Sequence, residues 1–274
     1  MPLPLTPTFR ARLAGANRPL AGMWVCSGSA LVAEICAGSG LDWLLIDMEH
    51  SANGLESVLA QLQAVAAYPI TPLVRVASDD PVRIKQVLDL GAQNLLVPMI
   101  GSADEARAVV EAVRYPPAGR RGVGSALSRS ARWNRVGGYL EDADRHVSLY
   151  LQVETVEGVD AAGSIAAVDG VDGVFVGPSD LAASMGLLGQ QTHPDVTAAA
   201  VRAVAAVRSA GTAVGVNAFD PEVAQRYLDA GADFILVGAD VTLLARGSEA
   251  FAARWSPPDG GPTDHRRTDT KAKP

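Results

Sequence analysis

Cysteine, lysine and long apolar runs are all scarce in this 274-residue chain, and each scarcity removes a class of function. Cys26 and Cys36 are the only cysteines. They stand ten positions apart with no C-x-x-C spacing, so a disulfide scaffold or a cysteine zinc site is excluded and two reduced, partly buried thiols are expected. The only lysines are Lys85, Lys271 and Lys273, one inside a helical pattern and two in the tail, which leaves no amine at the end of any predicted strand. Apolar stretches such as 41–46 fall far short of the ~20 residues that span a bilayer, so no membrane partner is expected. The first residues lack an apolar stretch behind basic ones, which points to the cytoplasm. A formal charge of -7 and a pI near 5.1 give no electrostatic footprint for nucleic acid.

Hydrophobic residues supply 48% of the chain, enough for a large core. Short apolar runs recur at about 20–26, 42–47, 71–76, 93–98, 147–153, 172–176, 213–217 and 233–237, the pattern of buried parallel strands. Helix-period segments separate them, among them Gly54 to Ala67, Pro81 to Leu90, Ala103 to Arg114, Pro194 to Ala210 and Pro221 to Ala230. Asp80-Pro81 and Asp220-Pro221 read as helix starts, and Gly91, Gly211 and Gly231 as helix stops. Eight alternating units predict an α/β fold, a single-domain (β/α)₈ TIM barrel over residues 1–255. No phosphate-binding glycine fingerprint follows a strand, so no nucleotide cofactor is expected. Tyr115 to Asp144 is too long for a simple connection and is expected over the catalytic face or at a subunit contact. Its arginines, Arg120, Arg121, Arg129, Arg132 and Arg135, form with Arg114 the main basic cluster, an anion site or a solvated surface. Residues 256–274, with His265, turn to Pro, Gly, Asp, Arg and Lys and are expected to form a disordered tail.

A TIM barrel keeps its chemistry at the C-terminal ends of its strands. There this sequence places Asp47-Met48-Glu49-His50, Arg75, Gln152-Val153-Glu154 and Gly177-Pro178-Ser179-Asp180. Glu154 and Asp180 form a hard-oxygen pair with coordination positions to spare, which suits Mg²⁺, Mn²⁺ or Co²⁺. Each alone could instead cap the helix that follows it. Arg75 offers a fork that grips a carboxylate at two points, its alternative being an ion pair with Asp47 or Glu49. His50, the one histidine expected at the mouth, is the candidate general base, since His146 and His193 lie elsewhere. Gln152 is either a substrate contact or a barrel-layer residue.

Asp47-Met-Glu49-His50-Ser, Pro-Leu-Val-Arg75, the run Tyr115-Pro-Pro-Ala-Gly119-Arg-Arg-Gly-Val-Gly124-Ser-Ala, Gln152-Val-Glu154-Thr and Val-Gly177-Pro-Ser179-Asp180-Leu together resemble the HpcH/HpaI class II aldolases, from about residue 8 to Trp255. The resemblance implies a divalent-metal-dependent lyase. Such an enzyme makes or cleaves 4-hydroxy-2-oxoacids such as 4-hydroxy-2-oxoheptanedioate, giving pyruvate and an aldehyde through a metal-stabilised enolate. It implies Glu154 and Asp180 as metal ligands, Arg75 on the pyruvate carboxylate or enolate, His50 as base, and Asp89 as the acid that pairs with this histidine. Gln152, Ser179 and Asp180 would face substrate, with Asp47 and Glu49 behind them. A homohexamer, a dimer of trimers in which a helix at 239–254 packs on a neighbouring subunit, is also implied. Met48 stands where glycine is frequent in the family, and is expected to alter the aldehyde pocket. The alternative reactions are those of a sugar-acid aldolase of the 2-dehydro-3-deoxyglucarate type and a citramalyl- or malyl-CoA lyase. A binding barrel without catalysis is the alternative of another class.

Overall fold

The computed structural model describes residues 3–256; the rest of the expected tail, His265 included, lies outside the described residues. Helix α1 (Phe9–Ala14) precedes strand β1 (Leu20–Val25), and α2 (Ala30–Ala37), β2 (Trp43–Asp47), α3 (Leu55–Ala64), β3 (Thr71–Arg75), α4 (Pro81–Asp89), β4 (Asn94–Val97) and α5 (Ala103–Val113) follow. After a long connection come β5 (Ser148–Val153), α6 (Val156–Asp160), α7 (Ala162–Ala166), β6 (Gly173–Val176), α8 (Pro178–Ser184), α9 (Pro194–Ser209), β7 (Ala213–Asn217), α10 (Pro221–Asp229), β8 (Phe234–Ala239) and α11 (Asp240–Trp255). The eight strands are parallel and close in sequence order, β8 pairing back onto β1. The eight predicted strands thus appear in place, with edges moved by a residue or two.

Local chemistry explains the punctuation. Asp80 and Asp220 accept backbone N–H groups of the first turns of α4 and α10, each with proline in that turn. His193, expected in a loop, serves a structural purpose, since its Nδ1 accepts the Asp195 N–H at 3.2 Å and caps α9.

Two apolar layers result. Outside the strands, Val, Leu, Ile and Ala residues fill the space beneath the helices. Inside, the barrel is packed with large rings: Trp43, Tyr150, Phe175 and Phe234. Three glycines make room for them. Gly22, Gly173 and Gly215 sit in register opposite Trp43, Tyr150 and Phe234, and a β-carbon on any of the three would come within 2.5 Å of the facing ring. Phe9 of α1 closes the N-terminal end of the barrel, its ring 5.3–5.4 Å from those of Trp43, Tyr150 and Phe234. Filled from below, the barrel leaves only its C-terminal mouth for chemistry.

Residues 115–147 contain no strand or α-helix but pack a small core of their own around Tyr115, Ala131, Val136, Tyr139 and Ala143. His146 stacks on Tyr139 there, well away from the strand ends. The chain divides into two compact units after Asp240. Of the second unit, helix α11 is described through Trp255; it carries an Arg246–Glu249 ion pair at 2.8 Å and exposes Leu243, Leu244, Phe251 and Trp255. No described helix is long and apolar enough to cross a membrane.

Candidate active site

Asp47, the last residue of β2, is buried and organises the first part of the mouth. Its two carboxylate oxygens accept the N–H groups of Glu49 and His50 at 3.1 and 3.2 Å, folding the chain back over the strand end. Its carbonyl oxygen accepts from Ser51 Oγ and Asn53 Nδ2. This web makes the conformation of the Glu49-His50 turn a property of Asp47.

Arg75 ends the neighbouring strand, paired in register with Asp47. Its Nε donates to Asp47 Oδ1 at 2.7 Å, and its Nη1 lies 2.8 Å from Glu49 Oε2 at an angle that makes a charge contact rather than a hydrogen bond. The ring of Trp24 supports the guanidinium from one face at 4.2 Å. Both anticipated ion pairs of Arg75 therefore exist, and its second terminal nitrogen is left for another oxygen. Burial raises the pKa of Glu49 despite the neighbouring Arg75, and the charges of Asp47 and Asp180 push the same way.

Glu154 follows β5 and is 1% exposed. It caps nothing: Thr155 is the N-cap of α6, accepting from Gly158 N. Instead Oε1 accepts the Met99 N–H at 2.9 Å, and Oε2 takes a short hydrogen bond from Gln152 Nε2. Desolvation moves its pKa from 4.5 up to about 7, the two hydrogen bonds opposing and the charges of Glu49 and Asp180 reinforcing the rise. Only glycine fits at position 177 beside it, for a β-carbon on Gly177 would stand 2.6 Å from Oε2. Asp180 lies in the first turn of α8, whose N-cap is Gly177, so it too is no cap; both Ser179 and Asp180 are exposed.

The structure thus gathers Asp47, Glu49, Arg75, Gln152, Glu154 and Asp180 into one mouth. His50 joins by its backbone and by an Nε2 that is 3.8 Å from Glu49, with 65% of its side chain exposed. Asp89 is not brought to His50 within the chain. It sits at the end of α4, where Arg121 Nη2 lies 3.4 Å away. Lys85, also on α4, lies beside Gly122. Met48 is partly buried and packs against the apolar layer between strands and helices.

Three contributors carry no sequence signal of their kind. Met99 holds a left-handed φ of 60°, unusual for a residue with a side chain, and in that conformation its N–H meets Glu154. Trp24 is bound at its indole N–H by Asn217 and so held beneath Arg75. Asp240, buried at the end of β8, accepts the N–H groups of Cys26 and Ser27 and fixes the turn after β1. Burial, with the charges of Asp47 and this same acid, pushes the Cys26 thiol up to about 12, which makes it unreactive.

Among the described residues no three His, Cys, Asp or Glu side chains form a metal cage. The mouth nevertheless fits a divalent cation held by few protein oxygens. Four carboxylates share the mouth with one guanidinium that pairs with two of them, the charges of Glu49 and Asp180 act against ionised Glu154, and Gln152 Oε1 is buried without a partner. A hard cation would relieve that excess charge.

A closed barrel with acids concentrated at its C-terminal mouth has the architecture of the α/β-barrel enzymes. The chain belongs to the HpcH/HpaI aldolase/citrate lyase family, whose profile matches residues 20–247, and it is accordingly a carbon-carbon lyase. It is 53% identical over 240 residues to a 4-hydroxy-2-oxo-heptane-1,7-dioate aldolase of Salmonella dublin, covering 88% of this chain and 91% of the relative. A crystal structure of an HpcH/HpaI aldolase/citrate lyase family protein from Burkholderia cenocepacia J2315 superposes with a TM-score of 0.86 at 42% identity, over 91% of this chain and 99% of the other. The crystal structure of the citrate synthase SbnG gives 0.80 at 28% identity, over 90% and 96%.

Proposed function

We propose that the chain is a divalent-metal-dependent aldolase that cleaves or forms 4-hydroxy-2-oxoheptanedioate, yielding pyruvate and succinate semialdehyde. The substrate follows from the relatives at 53% identity. The observation that carries the chemistry is Glu154: a carboxylate in a dry site, oriented by two hydrogen bonds and beside further acids, is costly unless a cation joins it. Glu154 and Asp180 would hold Mg²⁺, Mn²⁺ or Co²⁺. Once bound, the ion supplies Lewis-acid stabilisation of the negative charge that develops on the C2 oxygen of the oxoacid.

Arg75, fixed by Asp47, Glu49 and Trp24, offers its remaining N–H groups to the carboxylate or the developing enolate oxygen. Gln152 and Ser179 would contact substrate in this reading, and Gln152 donates a hydrogen bond to Glu154. His50, exposed at the rim, would take the proton of the C4 hydroxyl as the C3–C4 bond breaks, leaving the aldehyde and the pyruvate enolate, and protonation of C3 then gives pyruvate. Among the described residues Asp89 has Arg121 and no histidine beside it, and a pairing with His50 of another subunit would fit assembly as a hexamer. The apolar side chains exposed along α11 suit that helix for packing on a neighbour. In this reading the carbonyl is activated by the metal and not by a Schiff base; Lys85, the one lysine among the described residues, is on α4. A cytoplasmic location suits such a substrate.

Stripping metal with a chelator should abolish release of pyruvate from 4-hydroxy-2-oxoheptanedioate, and added Mg²⁺, Mn²⁺ or Co²⁺ should restore it. Full activity after complete metal removal would contradict the reading. His50→Ala should lower turnover by roughly 10²- to 10⁴-fold while metal affinity is kept. Wild-type turnover in that variant would transfer the base to another group.

A further inference from the structure

Two arginines outside the active site converge with no carboxylate of the described residues paired to either. A pocket of about 230 Å³ opens at the starts of β3 and β4, the end of the barrel opposite the mouth, and is lined by Thr71, Asn94, Gly91, Arg12, Arg129 and Arg132. The position a β-carbon on Gly91 would take is 2.7 Å from Arg132 Nη1 and 2.9 Å from Arg129 Nη1, so both guanidinium groups reach one small volume. Each gives one N–H to a main-chain carbonyl, Arg129 to Leu90 at 2.9 Å and Arg132 to that of Arg129 at 2.5 Å. Among the described residues neither has a carboxylate partner. Arg12, at the rim, gives an N–H to Pro69 O.

A second cavity at the same end shows what a satisfied basic pocket looks like in this protein. It holds Arg10, Arg18 and Arg208, and each is paired, with Asp172 at 2.7 Å, Asp42 at 2.8 Å and Asp233 at 2.7 Å. Arg129 and Arg132 have no such relief: burial lowers the basicity of both, and the charge of Arg132 lowers that of Arg129 further. The backbone sustains the arrangement at a cost. Arg132, Trp133 and Asn134 have φ of 50°, 53° and 62°, a left-handed turn built from three residues with side chains. Local strain that directs an unpaired charge into a pocket marks a ligand site.

We propose that this pocket binds a compact tetrahedral dianion, inorganic phosphate or the phosphoryl group of a phosphate monoester, between Arg129 and Arg132. One dianion neutralises both guanidinium charges and accepts from both forks, which one carboxylate does not. Bound there, it ties residues 115–147 to the C-terminal end of α4.

Titration calorimetry of the full chain at constant ionic strength, with inorganic phosphate in one arm and glycerol 1-phosphate in the other, tests the site. Binding at millimolar or lower concentration is expected, and the tighter arm identifies the source. Arg132→Gln should weaken it by roughly tenfold or more. Ala66→Glu adds an acid to the exposed pocket wall and leaves both arginines in place, so it should also weaken binding and serves if Arg132→Gln does not fold. Arg107→Gln, on the surface of α5 and paired with Asp104, should change nothing. No binding to the wild type, or equal binding by all variants, overturns the proposal.

Discussion

Glu154 concentrates the physics of the site in one side chain. Burial raises its pKa from 4.5 to about 7, so the metal-free folded chain holds this proton more tightly than the unfolded chain does. Its contribution to stability is therefore full below 4.5 and is lost as pH rises through about 7. A cation has to displace that proton, so affinity for Mn²⁺ should climb with pH and level off above about 7. Titrations at about pH 6 and about pH 8 check this, and equal affinities would contradict it. Arg75→Lys should cost most of the activity, because an ammonium cannot hold Asp47, Glu49 and a substrate oxygen at once. Unchanged kinetics with pyruvate and aldehyde would reduce Arg75 to a partner of its two acids. Glu154, Arg75, Asp47 and Gln152 were legible in the sequence because each ends an apolar run, where a barrel keeps its chemistry. Met99 was not, since what it contributes is a backbone N–H, a group every residue but proline has.

At the scale of elements, strand and helix positions followed from period and capping because Asp-Pro starts and glycine stops are local chemistry. The role of α1 was not legible. Phe9 reads as one aromatic in a short amphipathic stretch, and only barrel closure sets it against three rings. The matching of Gly22, Gly173 and Gly215 to Trp43, Tyr150 and Phe234 is likewise a matter of strand register, invisible before the sheet is closed. Phe9→Ala should lower stability by about 3–5 kcal/mol, the cost of emptying a large buried aromatic site. Turnover per folded molecule should stay at the wild-type value, because the plug lies at the end away from the mouth. Denaturant midpoints beside kcat separate the two, and a loss of kcat without loss of stability would contradict this division of labour.

For the whole molecule, the two ends of the barrel have different roles. The N-terminal end is plugged by α1 and is rich in arginine, whereas the C-terminal mouth holds an excess of acid around Arg75. A net charge of -7 alone says nothing of this, since it is the placement of the acids that creates a cation site. The proposed chemistry needs the ion to turn that excess into an electrophile for pyruvate. Exchange of the pyruvate methyl protons with deuterium, followed by proton NMR without any aldehyde, isolates the enolate step. With Mg²⁺ the wild type should exchange, and chelation or Glu154→Gln should stop it. Exchange that persists at the wild-type rate without metal, or in Glu154→Gln, would contradict the account.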